Sequence, residues 1–119
     1  MSLNLPESAT TELKMQTYTQ DDATVIKCVG RLTAEYSGSL KDYVKDLLPH
    51  SKQIVLDLKE VTRMDSAGLG AVVGLYVAAR KAKSSFLLIN YNKSIRDLLG
   101  ITNLLSVFEA CAQTGARFP

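Results

Sequence analysis

The chain has 119 residues, of which 46% are hydrophobic and 22% are charged, and its formal net charge is +2. This length and composition are typical of one globular domain and leave no room for a second. A net charge this small, without a block of like charges, argues against a nucleic-acid-binding protein.

The N-terminal part of the chain is expected to form a β-hairpin. Residues 1–11 are polar with one proline and predict a flexible segment, so the folded domain is expected to span residues 12–119. Side chains alternate in character from Leu13 to Thr19 and from Ala23 to Val29, which predicts two strands. The polar residues 20–22 between them predict a turn.

A helix is expected after Gly30. Ser37 or Ser39 is predicted to cap its start, and Pro49 is predicted to end it. The apolar positions with helical spacing are Leu40, Tyr43, Val44, Leu47 and Leu48.

A strand that leads into a helix is predicted in the middle of the chain. Residues 54–58 form a short apolar run typical of a buried strand, and residues 71–82 form an apolar segment of helical length. The predicted inward stripe of this helix is Leu69, Val72, Val73, Tyr76 and Val77. The opposite side (Ala71, Gly74, Leu75 and Ala78) is also apolar. Either a partner protein or another element of the domain is expected to cover it.

The junction between this strand and helix, Met64 to Gly70, contains the residue with the most unusual expected environment. Ser66 lies near the helix N-terminus, where backbone N–H groups lack partners and the helix dipole is positive. We therefore expect an exposed Ser66 hydroxyl beside groups that attract oxygen acceptors.

The remaining elements complete the predicted fold. They are a strand over residues 86–90, a short helix capped by Ser94 and ended by Gly100, and a last strand over residues 107–109. The strand–helix–strand order predicts parallel pairing. We expect an α/β domain with a mixed, mostly parallel sheet of four or five strands, an N-terminal antiparallel hairpin, and helices mainly on one face.

Cysteine and histidine usage argues against a metal centre, and no cofactor is expected because Gly68 and Gly70 belong to neither a G-x-x-x-x-G-K-S/T nor a G-x-G-x-x-G phosphate-binding motif. Cys28 and Cys111 have no CxxC spacing, and His50 is the single histidine of the chain. Both thiols are expected to be reduced and structural, and His50 is expected in a surface loop. With no signal-peptide pattern and no long apolar helix free of charges, the sequence predicts a cytoplasmic protein without a membrane span.

The central junction resembles the phosphorylation motif of the STAS-domain family, specifically that of the bacterial anti-sigma factor antagonists. The family motif reads Asp, Ser or Thr, a small residue, Gly, an aliphatic residue and Gly, and residues 65–70 fit it. Residues 30–33 resemble a family segment of Gly, any residue, Leu and Asp. Residues 95–99 with Asn103 and Leu104 resemble the third helix of the family and the turn after it. The likeness covers about residues 13–109.

The resemblance implies a non-catalytic regulator of transcription that acts by partner switching. The unphosphorylated form would bind an anti-sigma factor that is also a serine kinase, and so release a sigma factor. The kinase would phosphorylate Ser66, and a phosphatase would reverse the modification. The implied partner-binding residues are Arg31, Thr33, Asp65, Ser66, Ala67, Gly68, Leu69 and Gly70. The expected state is a monomer, with a weak dimer as the alternative, and neither nucleic acid nor membrane is an expected partner.

Two other functions are weighed against this one. A STAS domain can serve as a scaffold or as a subunit of a larger assembly, such as a stress complex or lipid transporter, without phosphorylation. A hydrolase is disfavoured, since Met64 stands where the G-x-S-x-G elbow requires glycine and one histidine is available as a base. Thr33 departs from the family, whose Asp would lie near Ser66. Arg31 is expected either to pair with Asp65 or a phosphate, or to point into solvent.

Overall fold

The computed structural model describes residues 12–104, which form a four-stranded sheet and three α-helices. In chain order the elements are β1 (Lys14–Gln20), β2 (Ala23–Leu32), α1 (Ala34–Leu47), a 3-10 turn (Leu48–His50), β3 (Gln53–Met64), α2 (Ser66–Lys81), β4 (Ser85–Ile89) and α3 (Lys93–Ile101). The strands lie in chain order, with β1 antiparallel to β2 and the other two pairs parallel. This confirms the predicted α/β class. The strand predicted at 107–109 and the segment predicted to be flexible at 1–11 lie outside the described residues.

The hairpin between β1 and β2 turns through two aspartates. Asp21 and Asp22 have φ of 50° and 68°, the left-handed conformation that suits the twist of a two-residue hairpin. The second strand does not end at Gly30 as predicted but continues to Leu32. Gly30 has φ of 116° and lies at a register shift between β2 and β3, so its conformational freedom lets the strand continue through an irregularity.

The main core lies between the sheet and the helices. Its fully buried members on the strands include Ile26, Leu32, Ile54, Leu56, Leu58 and Leu88, and those on the helices include Leu40, Val44, Val72, Leu75, Ile95 and Leu99. A smaller buried cluster contains strand residues only, namely Ala23, Val25, Val55 and Leu87. The described helices thus pack on one face of the sheet, as predicted. None of these helices is both long enough and apolar enough to cross a lipid bilayer.

The buried side of α2 differs from the predicted stripe. Leu69 and Val72 are buried as expected, but Val77 is 44% exposed, and Leu75 is fully buried on the side expected to face outward. Because α2 is apolar almost all round and packs against both the sheet and α1, its sequence pattern fixes its orientation poorly. Ala71 and Leu75 are therefore covered by other elements of the same domain and not by a partner protein.

The predicted helix caps are also wrong. Helix α1 begins directly after Thr33, which places Ser37 inside the helix instead of at its start. Helix α3 is capped by Asn92, whose side chain accepts a hydrogen bond of 2.9 Å from the backbone of Ile95, so Ser94 lies in its first turn. Asparagine and serine are about equally good caps, and the sequence alone does not choose between neighbours.

Cys28 is expected to be chemically inert because it is fully buried in the main core. Burial, with a contribution from the negative charge of Asp57, raises the pKa of its thiol to about 12. In a Cys111→Ser variant, a disulfide reagent at pH 8 should label native Cys28 roughly a thousandfold more slowly than the unfolded chain, since the thiolate is the reacting form. Equal rates would contradict this assignment.

Candidate functional site

The starts of α1 and α2 lie side by side at the carboxyl edge of the sheet. Leu32, the last residue of β2, pairs in register with Met64, the last residue of β3. One further residue on each strand begins a helix, with Thr33 as the N-cap of α1 and Asp65 as the N-cap of α2. Parallel pairing therefore brings two positive helix ends together at the predicted site.

The carboxylate of Asp65 joins the two helix starts. Its Oδ1 accepts a hydrogen bond of 2.9 Å from Gly68 N–H in α2, and its Oδ2 accepts one of 3.1 Å from Ala34 N–H in α1. The pKa of Asp65 is lowered chiefly by the bond from Gly68, then by bonds from Ala34 and Ala67 and the charge of Arg63, with desolvation opposing. The charged carboxylate is thus part of the local fold, and it is not free to pair with Arg31.

Asparagine in place of Asp65 should lower the melting temperature, because it removes the charge and one of the two acceptor oxygens. The folded pKa of Asp65 lies below its ordinary 3.8, so its stabilising contribution is present above pH 3.8 and is lost as pH falls through the folded value. In thermal melts from pH 6 to pH 2.5, the difference in melting temperature between wild type and Asp65→Asn should therefore decrease as the pH falls. Asp97→Asn, at an exposed position, is the control. A difference independent of pH would contradict the assignment.

Gly68 is required by the close contact between α2 and the end of β2. A Cβ atom at this position would lie 2.0 Å from the carbonyl oxygen of Leu32. The same oxygen accepts a hydrogen bond of 3.4 Å from Asp65 N–H, so it is held in place. Gly70 differs, since a Cβ there would meet no atom of residues 12–104 within 4 Å. Close packing therefore requires glycine at position 68 and not at position 70.

The Ser66 side chain is exposed, as predicted. It is the first residue of the 16-residue helix α2 and lies directly after the Asp65 cap. Gly70, one turn later, is also exposed, and Ala67 between them is half-buried. The hydroxyl and a stretch of bare helix backbone are thus accessible from the same end of the domain.

Other residues of the predicted partner-binding set are less accessible. Thr33 is 5% exposed and Leu69 is 7% exposed. The Thr33 hydroxyl is buried without a hydrogen-bond partner among residues 12–104, so it does not cap α1. Arg31 is half-buried and pairs with no described carboxylate, so neither pairing with Asp65 nor full exposure to solvent describes it. The sequence interpretation also missed Arg63, whose guanidinium influences Asp65.

The only histidine of the chain is far from Ser66. His50 is exposed and ends the 3-10 turn before β3, whereas Ser66 follows the carboxyl end of the same strand. Twelve residues of β3 separate them, a span of roughly 35–40 Å at 3.3 Å per residue. His50 is therefore placed too far away to activate the Ser66 hydroxyl as a general base.

Comparison with known proteins identifies both a family and a fold. The sequence profile of the STAS domain matches residues 14–116. An anti-sigma factor antagonist from Mycobacterium paratuberculosis superimposes with a TM-score of 0.75 at 20% identity, over 85% of this chain and 86% of that one. The Bacillus cell fate determinant SpoIIAA in its phosphorylated form gives a TM-score of 0.64 at 17% identity, over 80% and 87% of the two chains.

A structural neighbour with a different role has the same fold. A sulfate transporter family protein from Wolinella succinogenes superimposes with a TM-score of 0.62 at 15% identity, over 76% of this chain and 75% of that one. At these identities the superpositions demonstrate a shared fold alone.

Proposed function

The chain belongs to the STAS domain family, and we propose that it is an anti-sigma factor antagonist that is inactivated by phosphorylation of Ser66. The observation that carries the proposal is the exposed Ser66 hydroxyl at the first residue of α2, within the sequence Asp-Ser-Ala-Gly-Leu-Gly. Unphosphorylated, the protein binds an anti-sigma factor with serine kinase activity and so releases a sigma factor. A phosphatase restores this state.

The electrostatics of the junction suit a modification that changes binding without changing the fold. Phosphorylation adds about −1.5 to −2 charges at pH 7 and three acceptor oxygens. The N-terminus of α2 favours added negative charge, so the helix tolerates the phosphate. The carboxylate of Asp65 is already bound by Gly68 and Ala34, and the new charge at Ser66 therefore remains at the surface.

The proposed partner surface has two layers. Ser66 and Gly70 are exposed and Ala67 is half-buried, so these residues make direct contact with the anti-sigma factor. Beneath them, Gly68 and Leu69 are buried and shape the surface. Of the remaining residues of this surface, Thr33 lies beneath it at the start of α1, and Asp65 and Arg31 lie at its edge. Because close approach to the bare backbone at Gly70 needs a dry interface, a phosphate one turn away opposes docking.

A phosphorylation assay tests the proposal. The purified chain is incubated with ATP, magnesium and each anti-sigma factor kinase encoded by the source organism, and intact mass and peptide spectra are recorded. One added phosphate is expected, located on Ser66 and absent from Ser66→Ala. Thr62 is an exposed residue four positions earlier, its hydroxyl donates a hydrogen bond of 3.2 Å to the Gly30 carbonyl oxygen, and it serves as the internal comparison. Phosphate on Thr62, or none with any of the kinases, would contradict the assignment of Ser66.

The second candidate function is a STAS scaffold or subunit of a larger assembly without phospho-switching. It is favoured by the superposition on the sulfate transporter family protein and by Thr33 in place of the family Asp. Copurification of the native protein in a stable large complex, with unmodified Ser66, would support this alternative.

The remaining elements of the proposal follow from partner switching. The protein acts in the cytoplasm, where transcription takes place, and is a monomer. It is not itself an enzyme, since Ser66 is the substrate of the kinase and His50 lies at the other end of β3.

A further inference from the structure

Two arginines form an adjacent pair on the second face of the sheet, meaning the face opposite the described helices. Arg31 in β2 and Arg63 in β3 are register partners in parallel strands. The next register pair, Leu32 and Met64, packs into the core on the helix side. Because successive side chains of a strand point to opposite faces, the two guanidinium groups project from the second face.

Neither arginine has a charge partner among residues 12–104. The ion pairs described there join Lys27 to Glu60 and Lys93 to Asp97. The charge of Arg63 contributes to the lowered pKa of Asp65, but the two residues form no ion pair in this part of the chain. The Nε atom of Arg31 is buried, and no atom of the described chain accepts a hydrogen bond from it. Like charges directly opposite each other destabilise a sheet, and a buried donor without an acceptor is also unfavourable. A bound anion would reduce the repulsion between the two arginines and would accept a hydrogen bond from the Nε–H group of Arg31.

The surface next to the pair is an open, net positive groove of about 320 Å³. Its lining residues are Lys14, Gln16, Lys27, Val29 and Glu60. The Nζ atom of Lys27 lies 2.7 Å from Oε2 of Glu60, so these two charges balance each other. Lys14 is exposed and forms no ion pair in the described chain.

Three further carboxylates lie in this region, and none of them forms an ion pair with either arginine among residues 12–104. The charge of Arg63 lowers the pKa of Asp65, but the Asp65 oxygens accept hydrogen bonds from Gly68 N–H and Ala34 N–H. Glu12, whose backbone lies beside Gly30, is exposed. Asp57 is 8% exposed, and its Oδ1 accepts hydrogen bonds from Lys59 N–H and the Asn90 amide. Lys14, Arg31 and Arg63 are therefore cations of this region that form no ion pair among residues 12–104.

We propose that Lys14, Arg31 and Arg63 form a docking site for an acidic segment of a partner protein. These cations lie on three adjacent strands, β1, β2 and β3, which spreads them across about 10 Å, twice the spacing between neighbouring strands. That spread matches successive carboxylates of an extended peptide and exceeds the size of one small anion. The planar guanidinium groups suit carboxylates, which they bind through paired hydrogen bonds. The site goes beyond the proposed switch, since it requires no phosphate on Ser66.

The test uses the full-length unphosphorylated chain and a fluorescein-labelled peptide of six glutamates, with a six-lysine peptide as the reverse-charge control. Fluorescence anisotropy should show binding of the glutamate peptide alone, and higher salt should weaken it. Arg63→Gln should reduce affinity about fivefold and Arg31→Gln about tenfold. Arg80→Gln removes an equal charge at the far end of α2 and should leave affinity unchanged.

Hydrogen–nitrogen correlation NMR of the arginine side chains gives an independent measurement. Addition of the glutamate peptide should shift the Nε–H signals of Arg31 and Arg63 and leave that of Arg80 in place. Inorganic phosphate is the small-anion probe. The proposal would be overturned if Arg80→Gln weakened the peptide as much as Arg63→Gln, if the two signals did not move, or if phosphate bound as tightly as the peptide. None of these readouts depends on a kinase, so failure here leaves the proposed switch untouched.

Discussion

Replacement of Gly68 by alanine is expected to destabilise the domain by about 3 kcal/mol, which is close to the upper end for added volume in a packed core. The added Cβ would lie 2.0 Å from the Leu32 carbonyl oxygen, well inside van der Waals contact. This atom is backbone, so no change of side-chain rotamer can relieve the clash. Either α2 moves away from β2, or the end of β2 gives up its pairing with Met64.

The displacement of α2 should also disturb the shared cap. Asp65 holds Gly68 N–H and Ala34 N–H at the same time, and a shift of α2 stretches one bond or the other. Urea unfolding followed by circular dichroism measures the loss. Gly70→Ala is the matched control, because no described atom lies within 4 Å of a Cβ at that position and alanine favours a helix by about 0.5–1 kcal/mol over glycine. Equal stability of the two variants would contradict the contact between α2 and β2.

The main elements of the fold could be predicted because each has a clear local signal. Alternating side chains and a polar turn mark the hairpin, and an apolar strand followed by a long apolar segment marks the β3–α2 unit. Strand–helix–strand order then fixes parallel pairing. The position of Ser66 follows from these elements, which is why its exposure was predictable without coordinates.

Other features of the site depend on residues distant in sequence. The bond between Asp65 and Ala34 spans 31 residues, and no local pattern predicts it. The pairing of Arg31 with Arg63 depends on a register shift after Gly30, which changes the partner of every later residue. The orientation of α2 was predicted only in part, because a helix that is apolar nearly all round contains little directional information.

Aspartate in place of Ser66 is expected to weaken binding to the anti-sigma factor about a hundredfold while leaving the fold intact. A charge buried at an interface without a partner typically costs affinity on this scale. The free domain should not suffer, since Ser66 is exposed and negative charge is favourable in the first turn of a helix. The melting temperature of Ser66→Asp should therefore equal or slightly exceed that of wild type.

The neutral variant Ser66→Asn separates charge from size. Asparagine is close to aspartate in shape, so it should bind nearly as well as wild type if charge is the deciding property. Calorimetric titration of the three proteins with the cognate anti-sigma factor gives the affinities, and differential scanning calorimetry checks that each is folded. Equal loss in Ser66→Asp and Ser66→Asn would point to a steric contact at Ser66, and unchanged affinity in both would remove this residue from the interface. In either case the charge-based switch would be wrong, because its only physical basis is the added negative charge at the start of α2.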